Sequence, residues 1–87
     1  MATLAEFEER RKDAAVRMRH AEAVYAARVA REDIRHEDFL AEGADPLDEE
    51  VRYEEAITRA HARVAAARAD YKNADAEYRR ALNASHR

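Results

Sequence analysis

Cysteine and tryptophan are absent from the 87 residues, and glycine and proline occur once each, as Gly43 and Pro46. Without cysteine there is no disulfide framework and no thiolate metal site. A sheet protein needs turn residues roughly every 8 to 12 positions, so a single turn signal excludes an all-β or mixed fold. One glycine also excludes a glycine-rich phosphate loop. Ser85 is the only serine, and it stands next to the end, so no nucleophile constellation is present. The four histidines, His20, His36, His61 and His86, lack zinc-ligand spacing. No uncharged run is long enough to span a bilayer. The opening residues, Met1-Ala2-Thr3-Leu4-Ala5-Glu6, lack the cationic segment and apolar core of a secretory signal. A soluble, cytoplasmic protein without membrane contact is expected, with no catalytic activity, no cofactor and no metal.

What remains is helix-forming material. Alanine supplies 22 residues, and arginine, glutamate and leucine make up much of the rest. Charged residues are 40% of the chain, yet the net charge is only −3, and a nucleic-acid partner is not expected. Thr3-Leu4-Ala5-Glu6 fits a capping box, with Thr3 as the N-cap and Glu6 reaching back to its backbone. A first helix is predicted over about 4–42, ending where Gly43 can take the left-handed position. The turn occupies 43–45. Asp45 is a good N-cap, and Pro46 suits the first position of a second helix, which runs to about 84. Each helix is about 57 Å long at 1.5 Å per residue.

Both helices carry an apolar seam. Tyr53, Ile57, Ala60, Val64, Ala67, Tyr71, Ala74, Tyr78 and Ala81 alternate by four and three, the spacing of a coiled-coil heptad. Leu4, Phe7, Ala14, Met18, Ala21, Tyr25 and Val29 follow the same rhythm in the first helix. Arg11 fills the one gap there and is expected to lie across Tyr78 as a cation–π contact. Beyond Val29 the seam carries Glu32 and His36, then recovers at Phe39 and Leu40. Reversing the chain at residue 44 sets Ala14 against Ala74, Met18 against Tyr71, and Tyr25 against Val64, so that small layers alternate with large ones. His36 beside Glu32 and Tyr53 reads as a hydrogen-bonded interruption of the core rather than a ligand.

A second apolar set lies opposite the seam: Val16, Ala23, Ala27, Ala30 and Ile34 on the first helix, and Leu47, Val51, Ala62, Ala65, Ala69 and Ala76 on the second. It is either alanine used for helix propensity or a second interface, with two hairpins pairing into a four-helix bundle or one docking on a partner. Val16, Ile34 and Val51 are the residues that would carry the interface.

Charge is sorted along the rod. Residues 32–55 hold eleven acids and two arginines, Arg35 and Arg52, for a net −9, whereas the rest of the chain carries +6. The acidic tip has three readings. Asp45, Asp48, Glu49 and Glu50 favour the positive N-terminus of the second helix. Acidic tip and basic base also suit each other in self-assembly. Thirdly, the tip could hold a cation or enter a basic channel of a partner.

In that third respect Gly43, Asp45, Leu47, Asp48, Glu49 and Tyr53 are similar to the hairpin tip of Gre-type transcript-cleavage factors. The resemblance implies a metal-facing pair at Asp45 and Asp48, though Pro46 interrupts the pattern. Gly43 with Tyr71-Lys72-Asn73-Ala74-Asp75 resembles the turn and secretion signal of small type VII secretion substrates, with Ala41 where that family has tryptophan. Glu32 with Asp33-Ile34-Arg35-His36 resembles a half-site of two-helix ferritin-like iron proteins, with Asp33 in place of glutamate. None of these likenesses assigns a family.

The residues together support an all-α chain. Two long helices form an antiparallel coiled-coil hairpin that pairs with itself and acts as an adaptor or small scaffold through protein–protein contacts. The alternative is a regulator that inserts its acidic tip into a cationic channel of a large enzyme such as RNA polymerase. The candidate interaction residues are Val16, Ile34 and Val51 on the outer faces, and Asp45, Asp48, Glu49 and Glu50 at the tip.

Overall fold

The structure, a computed structural model, describes residues 2–86. Helix α1 spans Leu4–Ala41 and helix α2 spans Pro46–Ser85, with no strand among the described residues. They pack along their length as a hairpin of 66 × 17 × 17 Å. No described helix is long and apolar enough to cross a membrane.

Local chemistry fixes the ends. Thr3 Oγ1 accepts from the Glu6 N–H at 3.2 Å, and the Thr3 hydroxyl lies 3.3 Å from Glu6 Oε1. The Glu6 carboxylate thus meets the Thr3 hydroxyl in place of the backbone N–H that a capping box would use. At the other end of α1 the Ala44 N–H reaches the Phe39 carbonyl at 2.9 Å and the Gly43 N–H reaches Leu40 at 3.1 Å. This pair of bonds defines a Schellman turn, with Gly43 at φ +96. Asp45 Oδ1 then accepts from the Leu47 and Asp48 N–H groups at 2.9 and 3.2 Å, and Pro46 opens α2 without leaving a donor unpaired.

A Cβ built on Gly43 would meet nothing within 4 Å, so a substitution there meets only the backbone cost of positive φ. Gly43→Ala is expected to lower stability by about 1–2 kcal/mol, and Gly43→Asn by less, because asparagine tolerates the left-handed region. Urea unfolding followed by circular dichroism checks this, and equal losses for the two variants would contradict it.

Every seam residue from Leu4 to Val29 named above, and every one from Tyr53 to Ala81, is buried or half-buried. Cross-helix pairs keep to a reversal about residue 44: Arg11 with Asp75, Glu22 with Arg68, Tyr25 edge-on to His61, and Glu32 with Arg52. Arg11 lies over the Tyr78 ring at 4.8 Å. The core is thin, since two cylinders touch along a line. Ala14 and Val64, each 1% exposed, are the only fully buried apolar residues described. One expectation fails. The seam does not recover at Phe39 and Leu40, which stay exposed. A polar cluster fills the space between the helices at that level, and the Phe39 ring lies against the Arg52 guanidinium instead, at 4.9 Å.

Candidate functional site

The polar cluster is centred on Arg52, one of two bases among the eleven acids of the tip. Its Nε donates to both oxygens of Glu49 at 2.8 Å, and its Nη1 donates across the hairpin to Glu32 Oε2 at 2.9 Å. Arg52 Nη2 stands 2.6 Å from Glu49 Oε1, an ion contact without hydrogen-bond geometry. Glu32 also meets Arg35 at 3.4 Å, and Glu49 meets His36 Nδ1 at 3.4 Å. The His36 ring rests on Tyr53 with centroids 4.8 Å apart, and the Tyr53 hydroxyl donates to Asp33.

Glu32 and Glu49 are each only 4% exposed, the two buried charged residues described. Hydrogen bonds from Arg52 hold both carboxyls below their usual range, against the opposing effect of burial. The same two bonds raise the Arg52 guanidinium, and the bond to Asp33 raises the Tyr53 phenol. Of these bonds, those from Arg52 to Glu32, between His36 and Glu49 and from Tyr53 to Asp33 cross between the helices and need both arms in this register, whereas Arg52 and Glu49 meet within one turn of α2.

The four tip acids therefore separate into two kinds. Asp45 is occupied as the cap of α2, and Glu49 is buried against Arg52. Asp48 and Glu50 are exposed, and neither side chain has a hydrogen-bond or ion-pair partner among the described residues. The metal-facing pair implied by the transcript-cleavage likeness is thus split, because Asp45 points its carboxylate back at its own helix. The iron half-site is dispersed as well: Glu32 turns to Arg52, Asp33 to Tyr53 and His36 to Glu49. Of the secretion-signal likeness, Tyr71 is half-buried in the seam and Asp75 pairs with Arg11 and Arg79.

The outer apolar residues stand in the open. Val16 is 63% exposed, Ile34 61%, Leu47 74% and Val51 56%. The alanines of the outer stripes are exposed too, except for half-buried Ala76. Val16 and Ile34 are about 27 Å apart along α1, and Val51 lies on the other helix, so the structure does not gather them into one patch.

The two long sides of the rod differ in a way that the sequence reading missed. On one side the charges are paired, Glu22 with Arg68 at 3.2 Å and Asp75 with both Arg11 and Arg79. On the other, a groove of about 350 Å³ brings His20, Val24, Tyr25 and Arg28 of α1 together with Arg59 and Arg63 of α2. Glu22 follows His20 and precedes Val24 by two positions, about 200° around the helix, and so faces away from this groove. None of the four cationic-type side chains in the groove forms an ion pair among the described residues.

Comparison with known proteins returns no match: no family model fits the chain, and no curated protein or solved structure is significantly similar to it.

Proposed function

We propose that the chain is a non-enzymatic interaction module, a helical hairpin that associates with itself and serves as an adaptor or small scaffold. The supporting observation is the apolar surface left outside the hairpin. Val16, Ile34, Leu47 and Val51 are each more than half exposed, while Ala14 and Val64 are the only fully buried apolar residues among those described. Covering these four side chains would contribute about 4–8 kcal/mol, comparable with the whole stability of a small domain.

A dilution series by sedimentation velocity tests this. Mass should rise from monomer toward dimer as concentration increases, and Ile34→Lys/Val51→Lys should weaken the rise. A chain that stays monomeric at about 1 mM removes the reading.

A second reading has its own support in the tip, whose net charge is −9 and whose Asp48 and Glu50 have no hydrogen-bond or ion-pair partner for their side chains among the described residues. A regulator entering a cationic channel would depend on those two acids. Asp48→Asn/Glu50→Gln leaves the α2 cap and the Arg52 cluster intact. A tip-driven regulator would therefore lose its partner in this variant, whereas an adaptor working through its outer faces would retain it.

A further inference from the structure

We propose that the unpaired cationic groove receives the acidic tip of a second copy of this chain, so that two hairpins pair antiparallel with each tip in the other's groove. This rests on the self-association proposed above and gives it a surface and a geometry.

Four observations carry it. First, the charges match: Arg28, Arg59, Arg63 and His20 line the groove without ion pairs, and the tip offers Asp48, Glu50 and Glu55, which are exposed and equally without ion pairs. Second, the groove has an apolar wall against which incoming side-chain stems can rest: Val24 is 39% exposed beside Tyr25. Third, the surface is continuous. Arg59 lines both the groove and a shallow depression formed by Val51, Glu54, Glu55 and Thr58. Asp48 and Glu55 lie within about 40° of Arg59 around α2, so these tip acids and the groove arginine share one face of the rod.

Fourth, the distances close. The groove lies about 20 residues below the turn, or about 30 Å along the axis. A two-fold arrangement with each tip in the other's groove overlaps the rods by that length and places the dyad halfway, about 15 Å or ten residues from the turn, near the level of Glu54. Asp48 of one copy then lies at the level of Ala60 of the other, between Arg59 and Arg63. An overlap of this length across a rod 17 Å wide gives about 500 Å² of projected area per copy, at the small end of specific interfaces. A dimer that small and that charged is weak and strongly dependent on salt.

Charge exchange between two variants tests the geometry. Arg59→Glu/Arg63→Glu reverses the groove, and Asp48→Lys/Glu55→Lys reverses the tip. All four side chains are exposed and unpaired, so circular dichroism should show both variants folded. The wild-type dimer is expected to weaken tenfold or more between about 0.05 and 0.5 M salt, and each variant alone to weaken tenfold or more at low salt. Mixed together, the two variants should form a heterodimer, because each tip then meets a groove of opposite sign.

Several results would overturn this. If the groove-reversed variant dimerises like wild type, the groove is not the interface, although self-association stands. If the two variants fail to associate when mixed, the tip is not the groove's occupant. If the wild type remains monomeric and the groove instead binds a fluorescent oligothymidylate, lost on Arg59→Gln/Arg63→Gln, the occupant is a polyanion, and the self-association reading falls with the inference.

Discussion

Replacing Arg52 with methionine is expected to lower the melting temperature by at least about 10 °C at pH 7, and to reverse the way stability responds to acid. Arg52 is the shared donor of two carboxylates that are each 4% exposed. Without it Glu32 and Glu49 remain between the helices with only the long contacts to Arg35 and His36, both at 3.4 Å. Removing one partner from a buried ionic group is far more costly than replacing the whole group by apolar residues. Glu32→Leu/Glu49→Leu/Arg52→Leu should consequently melt no lower than wild type, while losing the layer that fixes the register.

The pH response separates these cases. In the wild type, the bonds from Arg52 lower both carboxyls from the ordinary value of 4.5. Groups lowered on folding contribute stability that is complete above the unfolded value and is lost as pH falls below it. Wild-type stability from this cluster should therefore be level from neutral pH down to about pH 5 and fall below about 4.5. In Arg52→Met, burial without a cation raises the same carboxyls, so the variant should gain stability between pH 7 and pH 5, as protons neutralise them. Thermal melts across this range decide the matter. A variant that melts with the wild type at pH 7, or that loses stability in parallel with it on acidification, would show that Arg52 does not hold these carboxylates.

The all-α hairpin was legible because its signals are local and periodic. Thr3, Gly43, Asp45 and Pro46 act within a turn of themselves, and the four-and-three spacing of the seam needs only the period of a helix. The tip cluster was not legible in the same way. Glu32, Glu49 and Arg52 are residue types that usually belong on the surface, and nothing in their local sequence says that they meet. One signal was available: Arg52 is nearly alone among acids and falls opposite Glu32 and His36 in the folded register. Weighing it would have moved Glu49 from the exposed tip to the interior and removed the expectation that Phe39 and Leu40 resume the seam. The cationic groove was harder still. It joins residues 20–28 to residues 59–63, and it depends on which side of the seam each arginine falls, while net charge by segment averages both sides together.

The other large effect is expected at Val64, 1% exposed and midway along α2. Val64→Ala should cost about 2–3 kcal/mol, from two lost methyl groups and the cavity they leave. Val64→Asp adds the cost of an unpaired buried carboxylate, for a total of at least about 5 kcal/mol. A chain of this length has about 4–13 kcal/mol of stability in all, so the aspartate variant should be largely unfolded as a hairpin near room temperature. Long alanine-rich helices retain some helicity alone, which makes loss of cooperative melting, rather than loss of helical signal, the measurement that counts. Val51→Asp is the control: that side chain is 56% exposed and lies outside the seam, so the monomer should melt within a few degrees of wild type while self-association weakens. If Val64→Asp instead kept a sharp transition close to that of the wild type, the arms could not be joined along this seam. If Val51→Asp were the more damaging of the two, the outer face rather than the seam would be holding the hairpin together.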